Sequence, residues 1–158
     1  MDSVGERTKL PAMSEVEIEI TFPNLEAGNY AVTSPSTPEY NCIAWAAGDT
    51  ETWWWPDANN QYYWPDEVAR DESLGAFKSV FEKLGYIECE TGNYEEGYEK
   101  IAIYVDVNTK PTHASRQLNS EVWASKLGQI EDIEHPFYGL DSSPYGSVAV
   151  IMKRSMQS

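Results

Sequence analysis

Cysteine is scarce in this chain of 158 residues. Only Cys42 and Cys89 are present, in no C-x-x-C spacing, so neither a disulfide framework nor a zinc finger is indicated. No stretch approaches the roughly eighteen apolar residues of a membrane span, and Met1 to Lys9 lacks the apolar core of a signal peptide. A soluble, cytoplasmic protein is expected. Basic residues are also few: eleven Lys and Arg against twenty-six Asp and Glu leave a formal charge of −15. That charge opposes nucleic-acid phosphates and anionic membranes, and it leaves neutral or basic partners. Histidine is limited to His113 and His135, and no metal-ligand spacing links them to the cysteines, so no metal and no cofactor is expected. Internal repeats and low-complexity linkers are missing as well.

Aromatic residues, by contrast, make up 13 % of the chain, which argues against disorder, and the length suits one domain with a sizeable core. We place that domain at residues 15–154, between a flexible N-terminus at 1–14 and a tail at 155–158. Glu15 to Phe22 alternates strictly and predicts a half-exposed strand. Asn24 to Glu39, with Pro35 and Pro38, reads as a loop. Cys42 to Ala47 predicts one or two helical turns stopped at Gly48. Trp53-Trp54-Trp55-Pro56 and Tyr62-Tyr63-Trp64-Pro65 predict loops or an irregular hairpin. Leu74, Phe77, Phe81 and Leu84 recur at helical spacing, with Asp71 as cap and Gly85 as stop. Runs at 86–90, 101–106, 112–118, 122–127 and 147–153 predict one antiparallel sheet with turns at Lys110-Pro111 and Asn119-Ser120. Gln129 to Glu134 is expected to form a helical turn. The fold class is α+β: a short Cys-bearing helix and one amphipathic helix packed on an antiparallel sheet.

A cysteine opening a helix behind a Pro-rich loop is a mounting for a thiol nucleophile, because the helix N-terminus favours thiolate. Such a thiol needs a base. His113 opens a strand about seventy residues downstream, whereas His135 sits among carboxylates beside a proline and reads as a solvated loop residue. On alternation His113, Ser115 and Gln117 share one sheet face, as do Trp123, Ser125 and Leu127, so Ser125 can approach His113 if the register aligns. Asp132 or Glu131 in the following turn is an electrostatically stronger orienter. Arg116 and Lys126 are cations amid excess acid, and Arg116 can dock a substrate carboxylate. Trp45, Trp54 and the rings near them can line a cleft at Cys42 or form core. Cys89, between Glu88 and Glu90, is the poorer nucleophile.

The order of a Cys-bearing helix and a later His-bearing strand resembles the papain-like superfamily, including its small bacterial NlpC-type and transglutaminase-like branches. That resemblance implies a thiolate attacking an acyl carbon while histidine shuttles the proton. In the small bacterial branch the third polar residue lies about twelve residues past the histidine, which here picks out Ser125. No glutamine precedes Cys42 as in papain, so the Cys42 amide with Asn41 or Tyr40 would stand in as oxyanion donors. The segments Phe22 to Leu25, Tyr40 to Asp49, Trp53 to Pro56, Thr112 to Gln117 and Ser125 to His135 also resemble an uncharacterised bacterial family over about residues 20 to 153. That family is a domain of unknown function and implies no activity.

These readings converge on a cysteine hydrolase or acyltransferase. Cys42 would be nucleophile, His113 base and acid, and Ser125 or Asp132 orienter. Tyr40, Asn41, Trp45, Trp54 and Arg116 would bind a peptide, protein or small-molecule acyl substrate. The alternatives are a non-enzymatic acidic interaction module of immunity or inhibitor type, and a degenerate papain-like domain kept for binding.

Overall fold

The computed structural model describes residues 15–26, 28–34, 39–120, 122–127, 132–141 and 144–156. The expected flexible N-terminus at 1–14 lies outside them. Seven strands form one antiparallel sheet, so the α+β expectation agrees with the structure. They are β1 (Ala31–Ser34), β2 (Ile87–Cys89), β3 (Tyr98–Val105), β4 (Pro111–Gln117), β5 (Trp123–Lys126), β6 (Asp132–His135) and β7 (Ser147–Ser155), in the spatial order β1-β6-β5-β4-β3-β7-β2. The long C-terminal strand thus returns to lie between β3 and β2.

Helices cover both faces. On one face α2 (Cys42–Ala47) and α3 (Leu74–Lys83) bury Ile43, Ala44, Phe77, Val80 and Phe81 against Ile101, Ile103, Ala114 and Met152. On the other, α1 (Glu15–Thr21) brings Ile18, Phe22 and Leu25 onto Ala102, Tyr104, Trp123 and Ile133. Strand alternation enforces the division, since successive side chains point to opposite faces. Ile103 pairs with Ala114 and Tyr104 with His113 across β3 and β4, so Ala114 looks toward α2 and His113 looks away from it.

Four expectations are corrected. Glu15 to Thr21 is helical, because Ile18, Phe22 and Leu25 share one buried stripe while Ile20 is 76 % exposed; a three-to-four-residue spacing outweighed the two-residue one. The loop from Asn24 to Glu39 contains the edge strand β1. The helical turn expected at Gln129 to Glu134 is strand β6 from Asp132 onward, with residues 129–131 outside the described set. The α3 cap is Ser73, whose hydroxyl accepts the Ala76 N–H at 3.1 Å; Asp71 instead accepts from the Ser73 hydroxyl.

The helix at Cys42–Ala47 forms where its sequence predicts. Gly48 ends it at φ +92°, a left-handed conformation that favours glycine. Asn41 begins it: its Oδ1 accepts the N–H of Ala44 at 3.1 Å and of Trp54 at 3.2 Å, and its Nδ2 donates to the Trp54 carbonyl at 2.7 Å. One buried side chain therefore caps α2 and clasps the aromatic segment at Trp54 like a missing strand. Trp55 and Trp64 then pack on Phe77 with ring centroids 5.3 and 5.0 Å away.

Replacing Asn41 by Ala is expected to cost about 2–4 kcal/mol, combining a lost cap with unsatisfied Trp54 amide groups. Asn41→Asp keeps an acceptor and loses the donor, and it too should destabilise. Urea unfolding checks both; a loss under about 0.5 kcal/mol for Asn41→Ala would contradict the clasp.

Candidate functional site

Cys42 occupies the first turn of α2, is 6 % exposed, and lines a cavity of about 280 Å³. Trp53, Trp55, Tyr62 and Tyr145 form most of the wall, with Asn41 and Thr112 completing it. The alternation in the tryptophan run explains which rings reach it. Trp54 turns into the core, donates its indole N–H to Asp49 at 2.9 Å, and leaves Trp53 and Trp55 to the cavity.

The sulfur meets an opposed pair of influences. The amides of Ala114, Ile43 and Cys42 itself point at it, and Lys126 adds positive charge. The Ala114 amide is accessible because β4 and β5 pair only at Arg116 with Ala124 and at Gln117 with Trp123, and the strands part beyond. Burial outweighs all of these and pushes the Cys42 thiol up to about 11. The expected thiolate-favouring start of the helix is thus overridden, and the resting sulfur is a neutral thiol at pH 7.

His113 is fully buried on the other face of β4, and neither ring nitrogen has a hydrogen-bond partner among the described residues. Its ring stacks on Tyr145 at 4.0 Å and 8° and meets Tyr104 edge-on at 5.1 Å. Burial, with His135 adding to it, holds its pKa well below the usual histidine range. Among the described residues Tyr145 is consequently the one ring that both stacks on His113 and borders the Cys42 cavity, and its carbonyl accepts from the Thr112 hydroxyl.

The other nominated residues divide by strand face. Ser125 does not meet His113: its hydroxyl bonds His135 Nε2 at 2.8 Å, while His135 Nδ1 faces the Pro136 carbonyl at 2.7 Å. With the Nδ1 proton donated to that carbonyl, Nε2 accepts from serine. His135, expected as a solvated loop residue, is a buried member of β6 whose pKa burial lowers to about 4. Asp132 pairs with Lys126 across β5 and β6 and accepts from the Tyr40 hydroxyl at 2.6 Å. It lies on the α2 side, away from His113, and Lys126 reaches over the Tyr40 ring at 5.2 Å. Arg116 lies over Trp45 at 4.2 Å and donates to the Trp45 carbonyl at 3.2 Å. Tyr40, Trp54 and Arg116 thus make internal contacts, and Asn41 both makes them and lines the cavity. Of the wall, Trp53, Trp55 and Tyr62 belong to the aromatic segment expected near Cys42, while Thr112 and Tyr145 were missed. Glu131 lies outside the described residues. Among the described residues no cluster of three metal-ligating side chains exists, and no helix is long and apolar enough to cross a membrane.

Residues 31–153 match a protein family described as a domain of unknown function (DUF7689). The chain belongs to that family. The DUF7689 match runs from the first residue of β1 into β7, and so contains Cys42, the aromatic wall and His113. Comparison with curated proteins and with solved structures gave no match.

His113→Phe tests the cost of the imidazole. Phenylalanine preserves the stack on Tyr145 and loses no hydrogen bond, so stability at pH 7 should hold or rise. A group whose folded pKa is depressed contributes stability above its unfolded pKa that is lost as pH falls. Below about pH 6.5 each buried histidine should therefore remove about 1.4 kcal/mol per pH unit, down to about pH 4 for His135 and well below the usual histidine range for His113. The variant should flatten that limb by one proton. A loss of about 2 kcal/mol or more at pH 7 would mean that His113 has a partner.

Proposed function

We propose that this domain performs acyl transfer at Cys42, with His113 as the proton acceptor and donor. What carries the reading is that a cavity-lining thiol and a buried, unpartnered imidazole share one neighbour, Tyr145, which lines the cavity and stacks on His113. An imidazole without partners is costly in a core, and such groups concentrate at functional sites. The papain-like resemblance agrees in the order of its Cys-bearing helix and His-bearing strand.

The same cause, exclusion of water, raises the thiol and lowers the imidazole. Both shifts hold the pair neutral at rest. A ligand that displaces the Tyr145 ring opens the cavity toward His113 and relaxes both shifts together. The thiol proton then passes to His113, and the sulfur adds to the carbonyl carbon. Collapse of the tetrahedral adduct expels an amine, alcohol or thiol, which takes the proton back from His113. Water attacks the thioester to give the acid and regenerate the thiol; an amine in its place gives transfer. The amides of Cys42, Ile43 and Ala114 converge on the thiolate. In the resting arrangement Asn41 spends its amide on Trp54 and Tyr40 its hydroxyl on Asp132. Neither expected oxyanion donor is available there without moving.

A binding domain that keeps the cavity without the reaction is the second reading, favoured by the burial of both groups. Alkylation separates the two in a Cys89→Ser background. N-benzyl iodoacetamide, whose ring suits the aromatic wall, should label Cys42 at pH 7 about tenfold faster than iodoacetamide, and His113→Phe should abolish that advantage. Iodoacetamide itself should react about tenfold faster per pH unit up to about pH 10, without a plateau. Equal rates for both reagents, with no effect of His113→Phe, would favour the binding domain.

A further inference from the structure

The Cys42 cavity has a chemical character that neither the cysteine nor the histidine explains. Four of its lining residues are aromatic, Trp53, Trp55, Tyr62 and Tyr145, and among the described lining residues none is charged. Trp53 and Tyr62 lie 6.2 Å apart with their rings inclined by 43°, as neighbouring panels of a curved wall. Around the wall the chain is acidic. The Trp55 indole donates to the Glu72 carboxylate at 3.3 Å, which pushes electron density onto the ring. Asp57 accepts from the amides of Gln61 and Tyr62 at 2.8 and 3.1 Å and keeps its charge, those hydrogen bonds and Arg70 lowering its pKa. The guanidinium of Arg70 is met by Asp57 at 3.0 Å and is spent on the carbonyls of Trp55, Asp57 and Tyr62.

Electron-rich ring faces, no lining charge and a net charge of −15 select one kind of guest. An anion is repelled. A primary ammonium would have to give up its water without a carboxylate to replace it, whereas a methylated ammonium is weakly hydrated and offers a broad positive surface to the rings. The geometry points to a ligand bearing a methylated ammonium group, such as a choline-like head, held by Trp53, Trp55 and Tyr62 beside the Cys42 sulfur. This deepens the acyl-transfer reading and rests on it only for the choice of cavity: the substrate is an ester, thioester or amide with such a head.

Tryptophan fluorescence of the wild-type protein, titrated with choline and with its uncharged tert-butyl isostere, isolates the charge from the shape. Choline should bind roughly tenfold more tightly than the isostere. In Tyr62→Leu, at a half-exposed position, choline affinity should fall roughly threefold or more while that of the isostere holds. Equal or tighter binding of the isostere, or no saturable change with choline below about 50 mM, overturns the inference. The titration reads binding alone and the alkylation rates read reactivity alone, so the failure of one leaves the other standing.

Discussion

The side chain of Asn41 is the interaction on which the rest of the arrangement depends. It is buried, and its oxygen and nitrogen do different work: the oxygen starts α2, while oxygen and nitrogen together pair with both backbone groups of Trp54. That pairing ties the aromatic segment to the helix that carries Cys42, alongside the Trp54 indole bond to Asp49, the Trp54–Tyr63 bridge, the Arg70 contacts and the packing of Trp55 and Trp64 on Phe77. The cavity is the space left beside this clasp. The Asn41 side chain and the packing of Trp55 and Trp64 on Phe77 together set its position relative to the thiol.

Against that satisfied amide stands an unsatisfied imidazole. Other buried polar groups are paired: Tyr40 with Asp132, Ser125 with His135, Lys100 with Glu95 at 2.8 Å. His113 is spent on ring contacts alone. A core selected only for stability has no use for an imidazole at that point, because a phenylalanine would fill the same space without desolvating two nitrogens. The Cys42 thiol is likewise held in its unreactive form by burial. Both groups are thus held neutral by a common cause, removal from water.

Much of the fold was legible because its signals were local. The α2 limits follow from the alanine-rich run and Gly48, and the strands β3, β4, β5 and β7 follow from alternating or apolar runs between turn residues. Tertiary packing decided the rest. Glu15 to Phe22 carries two periodicities at once, and only the burial of Ile18, Phe22 and Leu25 selects the helical one. For β6, Asp132 read as a turn residue that could orient the base and His135 as a solvated loop residue, because their partners, Tyr40 and Ser125, come from elsewhere in the chain. The site was legible in part: the thiol and the histidine stand out by scarcity. Their separation onto two strand faces needs the register of Tyr104 with His113, which no residue count gives. The cavity wall needed the knowledge that Trp54 turns inward, and Tyr145 had no sequence signal at all.

Since the central claim is that Cys42 and His113 act together, the most direct measurement is the intact mass of the Cys89→Ser protein after brief exposure to an activated phenylacetyl thioester. The account predicts a phenylacetyl adduct on Cys42 that decays as free acid is released, and no adduct in His113→Phe with its fold intact. No adduct in either protein, or equal adduct in both, would contradict it.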